Sequence, residues 1–132
     1  MAYTYTNTTF SSEFESDFDA WGTVNEGDFL PYVPKHQLAL GLSLEHSRFL
    51  FDISSRYQTE MLTEAGTFDE NIAMTDEAFT IDIALNYRLS EQLSAFVNVN
   101  NATNNIYVVS RRPAGVRPNQ PRVWNLGLKA NF

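Results

Sequence analysis

The sequence predicts an all-β protein: an antiparallel, up-and-down meander of about six strands. Three observations carry this. Apolar and polar residues alternate with period two over five long segments. Connections between these segments are alternately short and long. The segments run to about ten residues, the length a tilted strand needs to cross a bilayer and longer than the usual soluble strand of about five or six.

Taken in order, a weaker strand rich in Tyr and Thr opens the chain over Ala2–Phe10. The most regular segment follows at His36–Glu45, where Leu38, Leu40, Leu42 and Leu44 alternate with polar or small residues. After a break at Glu45–Arg48 the alternation resumes with Phe49, Phe51, Ile53, Ser55 and Tyr57, so the two segments read as a hairpin. Phe79–Leu89 repeats the pattern, with Thr80, Asp82, Ala84, Asn86 and Arg88 on the opposite face. Ser90-Glu91-Gln92 turns into Leu93, Ala95, Val97 and Val99, whose partners are polar except Phe96. The last segment sets Trp124, Leu126, Leu128, Ala130 and Phe132 against Val123, Asn125, Gly127, Lys129 and Asn131.

The long connections, about Ser11–Lys35, Met61–Ala78 and Asn101–Pro121, fall at one end of such a sheet, and the short turns at the other. Long structureless loops are uncommon in compact soluble domains and call for a reason. These loops also sort by charge. Of the 16 acids, 12 lie in or beside the first two, while the third holds four of the nine basic residues, Arg111, Arg112, Arg117 and Arg122.

Alternation alone fits any half-buried sheet, so a soluble β-sheet binding module stays open. Strand length favours a membrane instead, and two further features agree. Asp52, Arg56, Asp82 and Arg88 lie along the polar face, which suits a watery lumen. Phe49, Tyr57, Phe79, Tyr87 and Trp124 sit near strand ends, where bilayer interfaces would be.

Composition narrows the partners. With 132 residues, 43 % of them hydrophobic, the chain can bury a sizeable apolar surface. A net charge of -7 argues against nucleic-acid binding, which needs a basic field to displace counterions. There is no cysteine, hence no disulfide, thiolate metal site or thiol nucleophile. The start, Met1-Ala-Tyr-Thr-Tyr-Thr, is not a secretory signal peptide. No catalytic constellation, phosphate loop or cofactor motif is found. His36 and His46 fall at opposite ends of one predicted strand, too far apart to share a metal. The acids lack the twelve-residue EF-type spacing for calcium, so no metal site is expected.

Three stretches carry a family likeness: Leu30-Pro-Tyr-Val-Pro-Lys-His-Gln37 before a strand, the Asn-rich Val99-Asn-Asn-Ala-Thr-Asn-Asn-Ile-Tyr-Val108, and Ser110 to Phe132. They resemble the C-terminal end of TonB-dependent receptors, nearest the branch that takes up ferric citrate and related siderophores. The resemblance covers about Phe29–Phe132. It implies a gated transporter of the bacterial outer membrane, with about 22 barrel strands closed around an N-terminal plug. Residues 1–132 would then be the last six strands, with the long loops extracellular and the C-terminus periplasmic. No plug domain, TonB-engaging motif or signal sequence is found, so the expected partners are outer-membrane lipid and lipopolysaccharide, the remaining barrel and plug, and TonB through a region outside these residues. A passive porin-like barrel end is the alternative within the membrane class.

Two candidate sites follow. Arg111, Arg112 and Arg117 could offer bidentate donors to an anionic iron chelate. They could equally pair with acidic loops or lipopolysaccharide phosphates, or brace the barrel wall. Trp124, Leu126, Leu128, Ala130 and Phe132 resemble the aromatic-ended signal read by the barrel-assembly machinery, and would also face lipid.

Overall fold

The computed structural model describes residues 1–68, 72–113 and 115–131. Ten strands occur in it: β1 (Ala2–Tyr5), β2 (Phe14–Glu15), β3 (Thr23–Val24), β4 (His36–His46), β5 (Phe49–Gln58), β6 (Ala78–Arg88), β7 (Leu93–Asn100), β8 (Val108–Ser110), β9 (Arg117–Pro118) and β10 (Val123–Ala130). Six of them form one antiparallel sheet in the order β1-β4-β5-β6-β7-β10, and β2-β3 and β8-β9 are small separate ribbons. The expected meander is therefore present, and the extra short strands lie inside the long connections.

Register explains why the alternation was so clean. Directly opposed residues in an antiparallel ladder share a face. One row runs Leu42, Ile53, Ile83, Val99 and Trp124 across five strands, and the next runs Leu44, Phe51, Leu85, Val97 and Leu126. The row between them lies on the other face and reads Ser43, Asp52, Ala84, Asn98 and Asn125. The apolar face is uncovered, with Leu126 73 % and Leu128 71 % exposed. A water-facing sheet would not leave such a contiguous hydrocarbon surface open. Phe49 and Tyr87 stack at one end of this face with centroids 4.6 Å apart.

The two turns at that end are built by local chemistry. His46 pairs with Phe49, so the turn is Ser47-Arg48, with Ser47 in the left-handed region at φ 53°. The strand thus runs through His46, one residue past the expected end. In the other turn the Ser90 hydroxyl accepts from the amides of Gln92 (3.3 Å) and Leu93 (3.1 Å), taking up donors that the bend would leave unpaired.

Phe96, the one large apolar side chain in β7 on the polar face, has a specific reason to be there. It opposes Gly127 in β10. A Cβ on Gly127 would lie 2.4 Å from Phe96 Cζ, so the ring occupies the space a side chain would take. An aromatic folded over a cross-strand glycine restores contact the glycine cannot make.

The opening strand is shorter than Ala2–Phe10. β1 pairs with β4 from Ala2↔Ala39 to Tyr5↔His36, after which the chain turns to a different partner. Leu30 N donates to Thr8 O, Phe10 N to Asp28 O, and Gly27 N to Phe10 O. The backbone stays extended, but it switches from the sheet to the first long loop.

Labelling checks the separation of faces. The chain has no cysteine, so single replacements report cleanly. Leu44→Cys and Leu126→Cys should react with a lipid-soluble maleimide, and Ser43→Cys and Asn98→Cys with a membrane-impermeant one. Equal labelling of both sets by the impermeant reagent would show that no bilayer covers the apolar face. Separately, Gly127→Val should force Phe96 off its rotamer at about 1–3 kcal/mol, lowering the denaturation midpoint, while Gly127→Val with Phe96→Ala should recover part of the loss.

Candidate functional site in the loop cap

Apart from Val99 in β7, the buried apolar residues among those described lie beyond the sheet, in the long connections. Leu62 (2 % exposed), Val24, Ala20, Met61 and Thr63 are buried there. The connections expected to be structureless instead fold into a cap. Phe10, Phe14 and Trp21 meet edge to face with centroids 5.5–5.8 Å apart. Phe29 and Phe68 do the same at 5.2 Å, with Lys35 Nζ 4.4 Å and 3.8 Å from their ring centres. That cation–π contact ties the first loop to the second. Backbone bonds from Tyr32 N to Leu62 O (2.9 Å), Phe29 N to Gly66 O (2.8 Å) and Ala65 N to Ala20 O (2.8 Å) tie them further.

Arg111 and Arg112 sit at the seam between the loops, and Arg122 at the base of the third. Arg111 Nε donates to Met74 O at 2.7 Å, and its amide donates to the Tyr32 hydroxyl at 3.4 Å. Arg112 pairs with Glu64 at 2.8 Å. Arg122 uses its amide on Asn104 Oδ1 (3.0 Å) and Nη1 on Ala102 O (3.4 Å). These three therefore brace the cap. Arg117, in β9, is exposed and meets no carboxylate among the described residues.

The structure also assigns work to the Asn-rich stretch, which periodicity left unexplained. Asn101 is 5 % exposed and left-handed at φ 50°. Its Nδ2 donates to Asn105 O (2.8 Å) and Gln120 O (3.0 Å), and its Oδ1 accepts from Thr103 Oγ1 (3.1 Å). Asn119 closes the next rung, accepting from Tyr107 N at 2.8 Å. Together they staple the two ends of the third loop. The Asn101 amide donates to Asp82 Oδ1 (2.9 Å), and Asp82 Oδ2 pairs with Arg56 at 2.5 Å. Asp82 and Arg56 were legible as lumen-facing charges; their link to the loop base was not, because it depends on register.

Between the first and third loops lies a cleft of about 510 Å³, lined by Asp17, Asp19, Trp21, Tyr32 and Arg112 among others. It combines aromatic faces with charge of both signs. Among the described residues no three or more acids or histidines gather to hold a metal ion. His36 and His46 stand at the two ends of β4, and His36 Nδ1 bonds the Tyr3 hydroxyl at 2.8 Å.

In β10, Trp124, Leu126 and Leu128 project from the apolar face, and Ala130 opposes Leu93 at the strand's end. Phe132 lies outside the described residues.

A long-stranded sheet with one hydrocarbon face, one polar face and all long loops at one end is a strip of membrane-spanning β-barrel wall. Residues 1–102 match the sequence model of the TonB dependent receptor-like, beta-barrel family, and the chain belongs to that family. The match spans β1–β7; β10 joins the same wall through eight consecutive pairings with β7. Two solved structures of the ferric-catecholate import receptor Fiu from E. coli K12, in closed and open forms, each superpose with a TM-score of 0.67 at 26 % identity over 79 % of this chain. The alignments cover 15 % and 16 % of those receptor chains, so this chain spans a small part of their length. No curated protein sequence matches it.

Replacing Asn101 tests the staple. Asn101→Ala strands two carbonyl partners and puts at positive φ a residue that tolerates that conformation less well than asparagine, for roughly 2–4 kcal/mol in total. Asn101→Gly keeps the conformation and should cost less. Both should raise protease cutting within residues 101–122, alanine more than glycine, with the strands still protected. Equal, wild-type cutting rates would show that the loop is held some other way.

Proposed function

We propose that residues 1–132 form the C-terminal part of the barrel of a TonB-dependent outer-membrane receptor whose work is energised uptake of an iron chelate, and not catalysis. The observation that carries this is the register-defined two-faced sheet within residues that match the barrel family. The solved receptors it resembles import ferric catecholates, and the cleft of aromatic and charged side chains suits a chelate with aromatic rings and anionic oxygens. In this reading Arg112 faces the ligand from the cleft wall, Arg117 offers an unpaired guanidinium, and Arg111 holds the loop. The cap is extracellular, near lipopolysaccharide, and the short turns and the C-terminus are periplasmic. The plug and the TonB-engaging segment lie elsewhere in the receptor. Trp124, Leu126, Leu128 and Ala130 face lipid, and together with Phe132 in the sequence they serve the barrel-assembly machinery.

The sheet has two edges, on β1 and β10. In hydrocarbon each unpaired backbone group costs several kcal/mol, so both edges need neighbouring strands. Residues 1–132 alone should therefore give no heat-modifiable monomer on a gel after refolding in detergent; such a monomer with β circular dichroism would overturn the fragment reading. For transport, deleting the gene in its host should abolish uptake of radioactive iron from a ferric catecholate under iron limitation. That uptake should also stop when a protonophore collapses the energising gradient. Uptake that persists without the gradient would favour the porin-like alternative.

A further inference from the structure

The cation of the cleft between the first and third loops already has a partner. Among the described residues the charged side chains lining the cleft are Arg112, Asp17 and Asp19; Arg111 and Arg117 do not line it. Arg112 is paired at 2.8 Å with Glu64 of the second loop, and both side chains of the pair are partly buried. Asp17 and Asp19 are exposed and pair with no cation among the described residues. The positive charge of Arg112 thus stands against the negative charges of Glu64, Asp17 and Asp19. The pair is presented from fixed backbone on both sides. Beside Glu64, Thr63 Oγ1 donates to Ala73 O at 2.6 Å and Ala65 N donates to Ala20 O at 2.8 Å. Beside Arg112, the Arg111 amide donates to the Tyr32 hydroxyl at 3.4 Å, and the Ser110 hydroxyl donates to Arg112 O at 2.9 Å. Ordering two long side chains often cancels the gain of an ion pair; fixing where each begins lowers that cost.

A guanidinium that already holds a carboxylate is a weakened receptor for a second anion. The incoming oxygen gains the attraction of Arg112 but meets the repulsion of Glu64, and of Asp17 and Asp19 across the cleft. That repulsion grows with the charge of the ligand. Contact with the rings of Phe18, Trp21 and Tyr32, which line the same cleft, does not depend on it. We propose that Glu64 is a specificity-determining residue that makes the cleft a charge filter, favouring aromatic iron chelates of low net charge over the triply anionic complex of iron with three catecholate groups. This deepens the uptake reading above and rests on it. Each catecholate group brings two negative charges to iron(III), so a complex with two such groups is singly charged and keeps the aromatic rings while shedding most of the repulsion.

The test compares two radioactive iron complexes, one with a tetradentate bis-catecholate and one with a hexadentate tris-catecholate. Their binding is measured on the full-length receptor in outer membranes of the host, counting only the binding lost when the gene is deleted. The wild-type receptor should hold the singly charged complex severalfold more tightly, and added salt should shrink that ratio by screening. Glu64→Gln keeps the shape of the side chain and should tighten the triply charged complex severalfold, with little effect on the other. Asp19→Asn leaves the Arg112–Glu64 pair intact and should shift the ratio in the same direction. Equal weakening of both complexes by Glu64→Gln would show that Glu64 only holds Arg112 in place, and would overturn the filter. Trp21→Ala and Arg112→Gln separate this proposal from the reading beneath it. If they weaken binding while Glu64→Gln leaves the ratio unchanged, the filter alone falls. If neither complex binds the wild-type receptor, the uptake reading falls and the filter with it.

Discussion

Everything in this molecule depends on the hydrogen-bond register of one sheet. Because side chains alternate with period two, a slip of one residue between any two strands would carry a whole row from one solvent to the other. Leu44, Phe51, Leu85, Val97 and Leu126 would then face water, and Asp52 and Asn98 would face lipid. In a bilayer that exchange is costly on both faces, since mid-bilayer charge and uncovered hydrocarbon are each disfavoured. The short turns fix the register at one end, through left-handed Ser47 and the Ser90 hydroxyl. Phe96 over Gly127 fixes it within the wall, because only one register brings that ring onto a residue without a side chain.

At the opposite end register is fixed by the cap. The loops bury Leu62, Val24 and Thr63 more completely than any residue of the sheet, so the soluble-protein kind of core has moved out of the wall and into its connections. This inverts the usual relation in which loops decorate a packed core. A wall strip has no interior of its own: one face meets lipid and the other a lumen. Apolar packing among Phe10, Phe14, Trp21, Phe29 and Phe68 therefore has to be local to the loops.

The sheet was legible in the sequence because its two solvents impose the simplest of patterns. Strand bounds at His36, Phe49, Leu93 and Val123 follow from alternation alone. The cap was not legible, for a physical reason. Its contacts join residues far apart in sequence, such as Arg112 with Glu64 and Lys35 with Phe68, and no period marks them. The arginine cluster was visible as a concentration of charge, yet composition could not separate Arg111 and Arg112, which hold the cap, from Arg117, which is free of any ion pair among the described residues. Asn101 could have been suspected. Asparagine tolerates left-handed backbone better than most residues, and a run of asparagines straight after an alternating strand is where such a conformation ends a ladder.

Sheet and cap meet at Asp82, and this gives the wall a mechanical property that neither part has alone. One carboxylate oxygen holds Arg56 on the lumen face, and the other holds the Asn101 amide at the base of the third loop. Asn101 in turn grips Asn105 and Gln120, and Arg122, two residues further on, returns to Asn104. Arg111, on the same loop, reaches Met74 in the second, and Tyr32 of the first loop is bonded to both neighbours. Arg56 and the Asn101 amide thus share one carboxylate, which joins the polar face of the wall to the base of the loop carrying the arginines. Hydrogen bonds to a charged group are stronger than neutral ones, and both links at Asp82 are of that kind. The loop base is consequently anchored on the wall as well as in the cap around it.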